Sequence, residues 1–193
     1  MARISTAPDA KVVLGILHTV NSVCRRFRFA SRSSTVDNEL GFVLVKFAEP
    51  MLGLFRTLDQ QISSVDPSNA SVAATLTPLV ESLIVLSKIF LALTSPELAD
   101  LVGDHVAEYF SIFHKYLHYN APILAATDDE TPGPLDRLRS VICEIVDLFS
   151  SKYPLQFPMM DQFVSSIWAL LMQTGKEARH DMVPTLRSYD LSI

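Results

Sequence analysis

Apolar residues recur at spacings of three and four along almost all of this chain, in about seven successive runs, and that period leaves room for helices and little else. The first run, Val13, Ile16, Leu17, Val20, Val23, Cys24 and Phe27, forms one stripe of a helix predicted over Pro8–Phe27. Ser31–Thr35 interrupts it, and a second helix follows over Val36–Phe47. Pro50 then suits a first helical turn, where its missing N–H has no intrahelical partner to lose. Met51, Leu54, Phe55, Leu58 and Ile62 make the third stripe, and Ser63–Ser68, with Asp66-Pro67, reads as a loop.

A fourth helix is predicted over Asn69–Leu93, with Pro78 kinking it or delaying its start. Ser95-Pro96-Glu97 offers a hydroxyl cap, a proline and an early carboxylate, so the fifth helix is predicted from there to His118. It turns Leu98, Leu101, Val102, Val106, Tyr109, Phe113 and Leu117 inward. Asn120–Pro134 is the longest unpatterned stretch. The sixth helix, over Leu135–Lys152, buries Leu138, Val141, Ile142, Ile145, Val146 and Phe149. The seventh, over Leu155–Thr174, uses Phe163, Ile167, Trp168 and Leu171, with Gly175 after its end. Trp168 is expected to be largely buried, as a packing anchor of that size usually is. An eighth helix begins near Glu177, and Pro184 is expected to stop it.

Short loops make consecutive helices antiparallel neighbours, and every second helix begins after roughly 40–60 residues. The predicted fold class is therefore all-α, a HEAT-repeat-like α-solenoid of about four antiparallel helix pairs with the last pair incomplete. On periodicity alone a closed globular bundle is the alternative. An interrupted last pair would leave Ile167, Leu170 and Leu171 under-packed, with self-association through that end as the consequence.

Hydrophobic residues make up 49% of the 193 and charged residues 19%, which suits helices buried on more than one side. The most apolar run, Ser82–Leu93, contains Lys88 and is too short to span a bilayer. Met1–Ala10 lacks a signal-peptide h-region, and the 2 cysteines fall at apolar positions of helical patterns. Both features suit a reducing compartment without a disulfide framework. A net charge of −5 argues against a general nucleic-acid binder.

Catalytic constellations are lacking in the sequence. His114 and His118 have the helical spacing of a metal pair, but Lys115 stands where a zincin motif has glutamate, and exposed surface histidines are the plainer reading. Cys24 and Cys143 read as buried structural thiols. Glycine occurs only 6 times, with no phosphate-binding loop. These readings predict no enzyme activity, no cofactor and no metal. Arg25, Arg26 and Arg28 end the first helix, where cations meet the negative end of the dipole or offer a protein contact. Asp128, Asp129 and Glu130 form an acidic loop that would suit a basic partner.

Four segments resemble one family. They are Ile16-Leu17-His18-Thr19 with Arg25-Arg26-Phe27-Arg28, Glu49-Pro50-Met51-Leu52 leading to Leu58-Asp59-Gln60-Gln61-Ile62, Phe110–Leu117 followed by Thr127-Asp128-Asp129-Glu130, and Phe163–Gly175 around Trp168. In this order and spacing, from about Val13 to Asp181, the chain resembles part of the N-terminal half of the exportin-2 (CAS) family, the nuclear export receptors for importin-α. The resemblance implies HEAT repeats over 1–181 and a divergent tail over 182–193, in a chain that looks truncated relative to the family. It implies Ran in its GTP form and importin-α as partners, in nucleus and cytoplasm, with neither nucleic acid nor a membrane span. Second helices of each pair line the concave face in that family, which would place Glu81, Lys88, Glu144 and Asp147 near partners. The alternative is another HEAT or armadillo scaffold with unrelated protein partners.

Overall fold

A computed structural model describes residues 10–28, 34–67, 69–124, 131–157 and 159–174. The helices are α1 (Ala10–Arg28), α2 (Ser34–Ser63), α3 (Ala73–Thr94), α4 (Asp100–Gly103), α5 (Val106–His118), α6 (Pro134–Lys152) and α7 (Met160–Thr174), with no strand among the described residues. Single 3₁₀ turns lie at Ala70–Val72, Pro122–Leu124 and Pro154–Gln156.

The helices lie in two rows. In one, α3 is flanked by α1 and α6; in the other, α5 is flanked by α2 and α7; α2 also packs on α3, and α5 on α6. Polar contacts fix the direction within each row. Arg56 on α2 meets Glu108 on α5, and Asp59 further along α2 meets Lys115 further along α5. Glu81 near the start of α3 meets Arg137 near the start of α6, and the Ser95 carbonyl after α3 accepts from Lys152 at the end of α6. Corresponding helices therefore run parallel, and their partners sit 52, 56 and 57 residues apart. That similar offset at each seam is the repeat of a HEAT-type solenoid: each helix pair is laid beside the one before it.

α3 is the centre of the stack. By length and apolarity it could cross a bilayer, but 78% of its most apolar window is buried inside the protein. Its buried hydroxyls, Ser82, Ser87 and Thr94, donate to the carbonyls of Pro78, Leu83 and Phe90, so they leave no unpaired donor in the apolar interior. Phe90 is fully buried, with ring centroids of Phe55, Tyr109, Phe113 and Phe149 at 6.4, 4.8, 5.4 and 5.9 Å. One side chain thus joins α2, α3, α5 and α6.

Several boundaries differ from the sequence reading. The second and third predicted helices are one helix of 30 residues that runs through Pro50. Ala48, Met51, Leu52 and Phe55 are buried on both sides of the proline, and this continuous apolar face holds the helix together across the lost hydrogen bond. Ser95 does not open a helix. Its backbone N–H and its hydroxyl both bond the Leu91 carbonyl and close α3. The chain then enters α4 from an extended Ala99 (φ −71°, ψ 145°) before α5 begins. α6 begins as proline chemistry dictates, with Gly133 extended and Pro134 in the first turn.

The predicted stripes are corrected at α4, where Leu101 is 54% exposed rather than turned inward, and at both ends of the stack. On α1, Leu17 and Cys24 are buried, whereas Ile16 is 59% exposed and Val23 41%. Leu17 and Cys24 share a face because seven residues make almost two whole turns, and Ile16 and Val23 lie about 100° round the axis. On α7 the same geometry makes Trp168 56% exposed while Phe163 and Ile167 are buried. Trp168 follows Ile167 by one residue and so leaves the inward stripe. Ile167 is fully packed rather than under-packed, with Leu170 and Leu171 half-buried. Gly175, Glu177, Pro184 and the tail 182–193 lie outside the described residues.

Candidate protein-docking surface

The exposed edge of the α3–α6 row collects charge in a regular way. Glu81 and Lys88 lie seven residues apart on α3, and Arg137 and Glu144 seven apart on α6, so each pair shares one helix face. The Glu81 carboxylate accepts from Arg137, which closes the near end of this edge. Lys88 and Glu144 follow two turns further along the parallel helices, both exposed, with Asp147 half-buried beyond Glu144. Three residues singled out in the sequence, Glu81, Lys88 and Glu144, thus fall on one side of the stack. Arg137 belongs with them and was missed. Its only signal is an offset of 56 residues from Glu81, invisible until the repeat length is known.

Arg25 and Arg26 are exposed at the end of α1, the first helix of the same row. The side chain of Arg28 and the whole of Asp128, Asp129 and Glu130 lie outside the described residues.

The α2–α5 seam is stitched by charged and hydroxyl groups. Arg56 donates from Nε and Nη2 to the two carboxylate oxygens of Glu108 at 2.5 and 2.7 Å. This forked bond holds the Glu108 carboxyl below its ordinary range. Lys115 Nζ donates to Asp59 Oδ1 and Ser63 Oγ, each at 2.6 Å, and the Tyr116 hydroxyl donates to Asp59 Oδ1 at 2.9 Å. Burial pushes the Tyr116 hydroxyl well above its ordinary value, so it keeps its proton and stays a donor. Tyr116→Phe should therefore cost about 1.5–3 kcal/mol in urea unfolding with little change in slope, the usual worth of a bond to a charged acceptor. An unchanged midpoint would mean the bond contributes nothing.

The α5–α7 seam is different. His114 and His118 are not simply displayed on the surface: each Nε2 lies 2.9 Å from Ser166 Oγ on α7. The His114 ring also stands edge-on to Phe163 at 5.2 Å. Burial, reinforced by the neighbouring His118, lowers the His114 pKa.

The two thiols are chemically quiet. Burial pushes Cys24 up to about 11 and Cys143 up to about 12, so neither forms a thiolate at neutral pH. Among the described residues no group of three His, Cys, Asp or Glu is placed to hold a metal ion. What the geometry offers is an extended, charged edge along parallel helices, a form suited to holding another macromolecule.

The Cse1 family model matches residues 23–187. Exportin-2 of Drosophila melanogaster is 32% identical over 186 residues, 96% of this chain and 19% of its own length. Human exportin-2 is 32% identical over 176 residues, 91% of this chain and 18% of its own. A solved structure, the exportin Cse1 in its cargo-free, cytoplasmic state, superposes with a TM-score of 0.80 at 30% identity over 92% of this chain and 19% of that one. The chain thus spans about a fifth of the length of these relatives.

Proposed function

This chain belongs to the Cse1 family of exportins, and on that premise we propose that it forms one stretch of a nuclear export receptor. In this reading the receptor binds importin-α and GTP-bound Ran together in the nucleus, and GTP hydrolysis in the cytoplasm releases both. The chain contributes surface rather than catalysis. The observation that carries the reading is the agreement of sequence and stack with Cse1 over nearly the whole chain.

The mechanism follows from the stacking. Each helix pair touches only its neighbours, so small shifts at successive seams add up to a bend of the whole solenoid. A partner that holds distant repeats at one spacing then favours a second partner that needs the same spacing. We assign residues 1–181 to the repeat segment and 182–193 to a tail, and Lys88 and Glu144 to the partner-facing edge. Exposed Trp168 and Met172 on α7 suit contact with a further helix, or with a second copy when none is supplied.

The edge is tested in a chain extended on both sides with the repeats of human exportin-2. Lys88→Glu combined with Glu144→Lys should weaken RanGTP-dependent capture of importin-α by about tenfold, the effect of about 1.4 kcal/mol. Undiminished capture by a folded double variant would take these residues off the partner face. The 193-residue chain tested by itself should hold at most one partner weakly, since avidity needs distant repeats engaged at once. Cooperative capture of both partners by this chain would contradict that requirement.

A further inference from the structure

His114 and His118 lie one turn apart on α5, so their side chains share one face of the helix. The two ring centroids are 4.9 Å apart. Each ring directs Nε2 at the same atom, Ser166 Oγ on α7, at 2.9 Å. Ser166 departs from the other hydroxyls of these helices. Ser82, Ser87 and Thr94 bond back to the carbonyl four residues earlier, as Thr19, Ser22, Thr57 and Ser63 do. Ser166, only 7% exposed, meets the two rings instead. Two nitrogens and one oxygen, contributed by two helices, thus converge on one place. No third donor for the histidine pair is local in sequence; the fold brings one from α7, 52 residues from His114 and 48 from His118.

We propose that His114, His118 and Ser166 form a site for one divalent cation of the zinc class, which clamps α5 to α7. A neutral imidazole has a lone pair on one nitrogen, and a cation at Nε2 selects the form that carries its proton on Nδ1. The site therefore requires no particular tautomer beforehand. Zinc bonds of about 2.0–2.1 Å in tetrahedral geometry set neighbouring ligand atoms about 3.4 Å apart. The two N···O separations fall about 0.5 Å short of this, which small rotations of the three side chains make up. The Gln162 carbonyl engages the His114 ring, and a carbonyl behind a ligating histidine fixes the ring and raises its basicity. His118 is exposed and His114 half-buried, so a cation can enter and water can complete its shell.

Imidazole donors select zinc, copper or nickel over magnesium and calcium, which take oxygen ligands. Lys115, next to His114 in sequence, does not oppose the cation directly, because Asp59 and Ser63 hold its ammonium on α2, the opposite neighbour of α5. The α2–α5 seam carries two ion pairs, Arg56–Glu108 and Lys115–Asp59, whereas α5 and α7 share none among the described residues. A bound cation supplies that missing ionic tie. It stiffens the seam that positions Trp168 and Met172, the exposed apolar side chains of α7.

The test is a titration of the full chain with zinc chloride at neutral pH, followed by the imidazole resonances and by calorimetry, with magnesium chloride as the control. The resonances of His114 and His118 should move together and saturate with one zinc per chain, while those of His18 on exposed α1 stay in place and magnesium moves neither set. His114→Gln and His118→Gln should each weaken zinc binding by at least about tenfold, since the loss of a mere supporting group behind a ligand costs that much. Zinc that moves only one of the two rings, moves His18 equally, or binds His114→Gln as tightly as the native chain would overturn the site. The resonance titration needs only the native chain, so it decides the matter even where a variant does not fold.

Discussion

Phe90→Ala should lower the unfolding free energy by about 3–5 kcal/mol, among the largest effects expected of a single truncation among the described residues. The side chain is fully buried and is the only one described whose ring meets rings from α2, α5 and α6 at once. Its removal takes away the transfer energy of a phenyl group and leaves a cavity lined by four other rings, which are too rigid to collapse into it. Small domains have about 5–15 kcal/mol to lose, so the variant should be near its folding threshold. Denaturant unfolding would check this. A loss below about 1 kcal/mol would mean that the rows are not joined through Phe90.

Pro50→Ala should act in the opposite direction and stabilise the chain by about 2 kcal/mol. Proline inside a helix costs about 3 kcal/mol relative to alanine, because it forfeits one hydrogen bond and crowds the carbonyl four residues earlier. Alanine is also freer in the unfolded chain, which returns about 0.4–1 kcal/mol of that gain. Pro50 is exposed inside a helix of 30 residues, so removing the ring carbons sacrifices little packing. A gain of zero would show that the helix breaks here, since proline at a first helical turn loses nothing.

Pro50 also shows where sequence reading stops. The same residue type serves a helix start and a tolerated interior position. What separates the two is whether Ala48 and Met51 bury against a common neighbour, a fact of tertiary packing. Ser95 poses the same ambiguity, because a hydroxyl that can cap the next helix can also bond back to Leu91 and close the previous one. The apolar stripes were legible wherever a helix has neighbours on both flanks, as α3, α5 and α6 do. They misled at α1 and α7, where a helix at the edge of the stack buries only part of an apolar surface and leaves Ile16 or Trp168 outside, and at the short α4, which leaves Leu101 outside.

The family and its repeat architecture were legible because periodicity and ordered local motifs extend over most of the chain. The seams were not. Arg56 finds Glu108, and Ser166 finds His114, each across 52 residues, and local sequence does not identify such partners. Once the offset is known, the pairs fall into register along parallel helices, and the charged edge containing Glu81, Arg137, Lys88 and Glu144 becomes a single surface.

The central claim, that this stack serves as a segment of an importin-α export receptor, is tested most directly by exchange. The corresponding segment of human exportin-2, 32% identical to this chain, is replaced by it, and importin-α capture is measured with Ran bound to GTP and to GDP. A folded chimera that captures importin-α with RanGTP and releases it with RanGDP is the predicted result. A chimera that folds with native helix content but captures importin-α under neither condition, or equally under both, would contradict the account.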